Sequence, residues 1–220
     1  MSRFLTERLN FIFNEIPPCD VFSDIACDHG YIASAMLKAN RCKLAYFSDV
    51  SAKSLKKAET LLAEFIKSGR AKGFVSDGFD DVPKADCALI AGIGGELIAD
   101  ILKRAKKADK LPDKLILQPM KHCDKVRRLA VELGYFIKKD FTVKADGQFY
   151  DIISLVKGKD TITDEEVEFG RTNVRELPPD FREKISVEIG KIIFYTKSET
   201  MTDATRQKML KKAEKLKKYV

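Results

Sequence analysis

The chain has 220 residues, 45% hydrophobic and 33% charged, which is enough apolar content to bury a real core and ordinary for a soluble chain. No window approaches the roughly 18 apolar residues of a membrane span, and "MSRFLTERLNFIF" is amphipathic and acid-bearing, unlike a secretory signal, so a cytoplasmic protein is expected. The formal charge of +7 suits a phosphate-bearing partner without requiring one, and the 5 cysteines (Cys19, Cys27, Cys42, Cys87, Cys123) form no CxxC pair, which supports neither a disulfide framework nor a zinc ribbon.

Residues 3–16 place Phe4, Leu5, Leu9, Ile12, Phe13 and Ile16 at helical spacing and stop at Pro17-Pro18, predicting a helix that caps the first strand. Strand-like runs follow at 20–25, 43–48, 71–76, 86–90 and 114–118, separated by helical patterns at 31–40, 51–68, 95–107 and 122–133. Short apolar strands alternating with helices imply βαβ units and a parallel sheet covered on both faces. The alternation then breaks. Runs at 135–143 and 148–156 are joined only by "KADG", a hairpin signal. A plain dinucleotide-binding domain would continue with another βα unit, whereas a parallel sheet closed by a hairpin is the arrangement of the Rossmann-like class I methyltransferase sheet. The expected fold is therefore α/β of that type.

From Gly158 the composition turns polar, and two helical segments follow Pro178-Pro179, with Ile185, Ile189, Ile192 and Ile193 on one and Met209, Ala213 and Leu216 on the other. They predict a small C-terminal helical hairpin, and hence a division into residues 1–158 and 159–220. Residues 206–220 carry seven Lys or Arg against one Glu. A solvated helix face and an RNA-backbone contact are both compatible with that run.

In open parallel sheets ligands bind beyond the carboxyl ends of the strands, so those ends are the candidate site. After the first strand comes "DIACDHG", with Asp24, Ala26, Asp28, His29 and Gly30. The GxGxxG fingerprint of dinucleotide enzymes is absent. S-adenosylmethionine has no pyrophosphate to cradle, and needs only close approach beside Ala26 and Gly30 and an acid such as Asp28 toward its ammonium or sulfonium side. Cys27, Asp28 and His29 diverge as neighbours in a turn, so no metal is expected. After the second strand, Asp49 lies nineteen residues beyond Gly30, with Val50 following. A carboxylate there can accept both ribose hydroxyls, a role compatible with helix capping. After the third, Asp77 can take an adenine amino group and Gly78 allows a turn close to the ring. After the fourth, "AGIGGEL" (Ala91, Gly92, Gly94, Gly95) leaves room for a flat group, though glycines for strand–helix packing are the plain alternative. The Asn/Asp-Pro-Pro-aromatic motif of exocyclic-amine methyltransferases is missing there. After the fifth come Gln118, Pro119 and Met120. The combined pattern points to a nucleoside cofactor, S-adenosylmethionine.

"DIACDHGYI", "SDV", "SDGF", "IAGIGGELI", "LILQP" and "FYDII", in this order, resemble the bacterial tRNA adenosine-22 N1-methyltransferase family, over Arg8-Leu9 to about Val156 and again in the C-terminal helical pair. The resemblance implies a class I fold, S-adenosylmethionine as methyl donor and N1 of a tRNA adenine as acceptor. Asp28 is then the acid expected at the reacting centre, with His29 as a second candidate for which stabilising the turn is the alternative. Asp24, Ala26, Gly30, Asp49, Val50, Asp77, Gly78, Ala91 and Gly92 fall to the cofactor, and Arg8, Tyr31, Gly94, Gly95, Gln118, Pro119 and Met120 to the substrate. Tyr31 or Phe79 would give the extruded base a stacking face. The sequence departs from the family pattern at Ala26 (usually Gly), Met120 (usually Asn) and Gln148 (commonly basic). Basic clusters at Lys103, Arg104, Lys106, Lys107 and Lys110, and at Lys121, Lys125, Arg127 and Arg128, suit either phosphate contacts or plain helix surface. A methyltransferase of another RNA or of a small molecule, and a non-catalytic RNA-binding protein, are the competing functions. Monomer and weak dimer are both open.

Overall fold

A computed structural model describes residues 5–198 and 200–220. Its strands are β1 (Cys19–Ile25), β2 (Cys42–Asp49), β3 (Ala71–Val75), β4 (Cys87–Ile93), β5 (Lys114–Pro119), β6 (Tyr135–Ala145) and β7 (Gln148–Lys157). They form one 7-stranded sheet in the order β3-β2-β1-β4-β5-β7-β6. β1 to β5 pair in parallel, while β7 runs antiparallel to β5 and to β6. The order reverses between β1 and β4, which opens a crevice beyond their carboxyl ends.

Helices cover both faces. α1 (Glu7–Glu15), α2 (Tyr31–Lys38) and α3 (Ala52–Leu61) bury Ile12, Met36, Leu37, Leu55 and Ala58 against one face. α5 (Gly95–Lys107) and α6 (Cys123–Glu132) bury Ile98, Ile101, Leu102, Val126 and Leu129 against the other. The first helix is shorter than its apolar stripe. Thr6 caps it by accepting the Leu9 amide, so Leu5 lies before it, and Phe4 lies outside the described residues. The pattern at 51–68 divides into α3 and α4 (Ala63–Lys67) at the fully buried Leu62. No helix among the described residues is long and apolar enough to cross a membrane.

The C-terminal part has more structure than its composition suggests. Before α9 (Pro179–Tyr195) and α10 (Asp203–Leu216), which pair as expected, come α7 (Asp164–Phe169) and α8 (Arg171–Glu176). A capping box between Thr163 and Glu166 starts α7. Phe181, Ile185, Ile192, Ala213, Leu216 and Tyr219 form a separate apolar core here.

A buried ionic network ties this part to the sheet. Arg127 on α6 donates to Asp140 of β6 at 2.7 and 3.0 Å, to Asp151 of β7 at 3.2 Å and to the Val167 carbonyl at 3.1 Å. Lys184 of α9 donates to Asp151 at 2.7 Å. Burial works to raise the Asp151 carboxyl, but Lys184 and Arg127 hold it down to about 2. Arg127 is therefore not part of an RNA-facing cluster: its guanidinium is consumed inside the fold.

Candidate functional site

A cavity of about 590 Å³ opens beyond the carboxyl ends of β1, β2, β3 and β4. It is lined by Arg8, Asp24, Ala26, Asp28, His29, Tyr31, Asp49, Val50, Asp77, Gly78, Ala91 and Gly92 among the residues singled out in the sequence. Gly30, Gly94, Gly95, Gln118, Pro119 and Met120 are not among its lining residues.

The first loop makes a tight reversal in which Ala26, Asp28 and Gly30 have φ of +58°, +46° and +69°. For a residue with a Cβ each such angle costs roughly 1–2 kcal/mol, so the loop is held open against a local preference. Neighbours hold it: Cys27 N–H donates to the Ser48 carbonyl at 2.9 Å and Asp28 N–H to Asp49 Oδ2 at 3.1 Å. Gly30 serves packing. A Cβ there would lie 2.9 Å from Ala58 Cβ.

Asp49, at the end of β2, accepts a second bond at Oδ1 from Ser51 N–H at 2.8 Å. Ser51 supplies the cap of α3 itself, by accepting Ser54 N–H. The Asp49 carboxylate is thus oriented by two amides and keeps acceptor capacity toward the cavity. Beside it Val50 is 73% exposed, and Leu97, 47% exposed, lines the same cavity. Large apolar side chains in the open on the lining of one cavity offer an apolar slot for a flat ring. Leu97 lies off the apolar stripe of α5, which is why helical periodicity passed over it. Ile93 and Ile101 also line the cavity. Gly78 closes in from β3: a Cβ there would lie 2.8 Å from Ile101, and its φ is +67°. Asp77 already pairs with Arg104 at 2.7 Å, so its carboxylate is shared.

Asp24 forms the cavity's acidic floor. It is 5% exposed, and accepts Ala33 N–H at 3.2 Å. Burial raises its carboxyl to about 7, and Asp49 adds to the rise. A cation beside it would restore the charged form. At the rim, Asp28 Oδ2 lies 2.6 Å from His29 Nδ1, and the His29 ring stacks on Tyr31 with centroids 5.3 Å apart. Phe79 offers no stacking face; it is 3% exposed and part of the core.

The ends of β4 and β5 pack on each other. A Cβ on Gly95 would lie 2.5 Å from the Lys121 carbonyl oxygen, so this glycine serves strand–helix packing, while nothing lies near a Cβ on Gly94. Gln118 is fully buried and its amide is used internally, accepting from Arg8 and donating to the Pro119 carbonyl at 3.2 Å. Met120 is half exposed, with its sulfur 3.5 Å from Gln118 Nε2.

Oriented carboxylate, apolar slot and buried acid fit the ribose, adenine and amino-acid parts of S-adenosylmethionine. Of the basic clusters, Arg104, Lys125 and Arg128 are engaged with Asp77, Glu96 and Asp164, and Lys110 with the carbonyls of Phe79 and Asp80. Lys103, Lys106, Lys107 and Lys121 stay exposed without an ion pair among the described residues.

Known proteins share this fold. A tRNA (adenine(22)-N(1))-methyltransferase of Bacillus subtilis is 29% identical over 153 residues, 68% of this chain and 63% of that one. The solved structure of Streptococcus pneumoniae Sp1610 matches with a TM-score of 0.90 at 22% identity, covering 98% of this chain and 99% of that one. The structure of M. capricolum TrmK in complex with S-adenosyl-homocysteine matches with a TM-score of 0.84 at 23% identity, covering 99% and 98%. Both solved structures include the helical part in the match. Residues 5–153 match the sequence family described as "Methyltransferase domain", and the chain belongs to that family.

Proposed function

We propose that the chain is an S-adenosylmethionine-dependent methyltransferase that modifies N1 of adenine 22 in tRNA. The observation that carries the cofactor assignment is the Asp49 carboxylate, fixed by Asp28 N–H and Ser51 N–H between an apolar slot and a buried acid. Specificity for adenine 22 draws on the resemblance of the strand-end motifs and on the Bacillus subtilis relative.

When bound, S-adenosylmethionine supplies an electrophilic methyl group on a sulfonium. Asp49 would hold the ribose diol, Val50 and Leu97 would flank the adenine, and Asp24 would face the ammonium. Adenine N1 carries a free lone pair at neutral pH, so no general base is required. Asp28, held by its bond to His29, would offset the positive charge that the acceptor ring gains. Tyr31 presents one face to His29 and leaves the other for a base. Orientation of N1 toward the methyl would supply most of the rate, up to ~7–11 kcal/mol in well-aligned systems. Unstacking the base opposes it by a few kcal/mol.

The organisation into residues 1–158 and 159–220 belongs to the same proposal. Its support is the separate apolar core of α9 and α10. Exposed Lys208, Lys211 and Lys215 on α10, with the lysines of α5, offer phosphate contacts. Incubating the protein with methyl-labelled S-adenosylmethionine and unmodified tRNA tests the function. Label in an adenine is expected, and absence of transfer to any tRNA overturns it.

A further inference from the structure

α9 is apolar on two sides. Phe181, Ile185 and Ile192 are buried in the C-terminal core. On the other side Val187, Gly190 and Phe194 recur at spacings of three and four residues, with Ile193 beside them, so they form one stripe along the helix. Phe194 is 71% exposed, and Val187 and Ile193 are exposed as well. Gly190 sits at the middle of this stripe. Glycine is a poor residue for a helix interior, and the fold gives no return for it here. Its φ is not positive, and a Cβ on it would meet nothing within 4 Å. What the missing side chain leaves is a hollow between large apolar groups, where another helix can come close.

The two ends of the stripe carry opposite charges. Glu183 stands toward the start of α9, and Lys197 lies just beyond its last residue. Lys197 has no ion pair among the described residues, while Glu183 meets Lys144 at 2.5 Å and stays exposed. A half-turn about an axis through Gly190, perpendicular to the helix, exchanges Glu183 with Lys197, Val187 with Ile193, and the small Ser186 with Phe194. Acid then faces base, apolar faces apolar, and each large ring faces a small residue beside a glycine hollow. A stripe with this symmetry is complementary to itself.

We propose that α9 packs antiparallel on α9 of a second copy of this chain, about a twofold axis at Gly190. The stripe is short, about 21 Å at 1.5 Å per residue. Two of them fall below a standard interface of roughly 1,200 Å², so a weak dimer is expected, with Kd on the order of 10–100 μM. RNA is the other candidate occupant. Its phosphates suit the exposed lysines of α10 better than an apolar stripe that carries an acid.

Sedimentation equilibrium on the full chain, from about 5 to 300 μM, reads the mass directly. Wild-type protein should pass from monomer to dimer across that range. Gly190→Glu and Gly190→Lys each set like charges against one another at the axis, and each should stay monomeric. Both put a better helix former into open space, so both should melt at or above the wild-type temperature, which shows that they are folded. An equimolar mixture of the two should associate again. Lys197→Glu should weaken the wild-type dimer roughly two- to tenfold. Wild-type protein that stays monomeric throughout, a dimer that persists in Gly190→Glu, or a mixture that does not associate overturns the proposal. Monomeric wild type together with loss of tRNA binding in Gly190→Glu assigns the stripe to RNA instead.

Discussion

Asp28 and Asp49 stand at the ends of different strands, and the amide of the first donates to the carboxylate of the second at 3.1 Å. The bond joins the loop after β1 to the end of β2, so the proposed ribose acceptor and the proposed reacting centre are set by one contact. Asp49→Ala should therefore remove a ligand contact and release the loop. The expected loss in S-adenosylhomocysteine affinity is roughly 30-fold or more, about 2–3 kcal/mol for charge-assisted bonds. Asp49→Asn should retain part of the loop order and lose less. Calorimetry on both variants, with amide exchange at Asp28, checks the order of effects.

Asp24 links cofactor binding to pH. Its carboxyl lies near 7 in the folded chain and near 4 when unfolded, so the folded state holds the proton more tightly. The resulting stability is fully present below pH ~4 and is lost as pH rises toward and through 7, in total on the order of 4 kcal/mol for a shift of this size. Asp24→Asn should melt at higher temperature than wild type at pH 8 without ligand, and equally near pH 4. An α-ammonium beside it favours the ionised acid, so wild-type affinity for S-adenosylhomocysteine should strengthen between pH 6 and 8. In Asp24→Asn it should be weaker and flat. A wild-type affinity independent of pH would contradict the role given to Asp24.

Two adjacent glycines should behave differently. Gly95→Ala would push a methyl to within 2.5 Å of the Lys121 carbonyl oxygen and 2.6 Å of that of His122, so the β5–α6 connection must shift. A loss of about 1–3 kcal/mol in denaturant unfolding is expected, as for other overpacked sites. Gly94→Ala meets nothing and has an ordinary φ of −67°. It should melt like wild type and bind S-adenosylhomocysteine normally. If a base lies against this position, methyl transfer to tRNA should still fall several-fold.

Arg127→Met should act on stability alone. It leaves Asp140 and Asp151 buried together without their shared guanidinium, and breaking such a pair costs about 3–5 kcal/mol. Under conditions where the variant remains folded, the salt dependence of its tRNA binding should match wild type. Substituting Lys103, Lys106 and Lys107 together should do the reverse, lowering the salt slope with little change in melting.

Much of the α/β core could be read from the sequence because its signals are local. Apolar runs, helical stripes and the "KADG" turn put strands β1 to β7 within a few residues of their places. The acids and glycines at the strand ends needed only the rule that ligands lie beyond carboxyl ends, and most of them line one cavity. What escaped was non-local. α7 and α8 gave no helical signal beside the polar composition after Gly158, yet Glu166, Arg171 and Asn173 are each buried against partners distant in the chain or the next turn. The Thr163–Glu166 capping box was present in the sequence as a signal, and polar composition masked it. Arg127 and Phe79 show the converse. Residue type suggested RNA contacts, and burial assigns them to the interior. Gln118 was read as a group at the sheet's mouth, but it spends its amide on Arg8 and Pro119. No spacing rule links Gln118 to Arg8, which is 110 positions away.

The central claim is methyl transfer to one atom of one nucleotide. Unmodified tRNA carrying adenine 22, and the same tRNA with guanine at that position, should be incubated with the protein and S-adenosylmethionine, digested and mapped by mass spectrometry. The expected result is a single added methyl as N1-methyladenosine at position 22 of the first tRNA and none in the second. Methylation at another position, or equal methylation of both tRNAs, would contradict it.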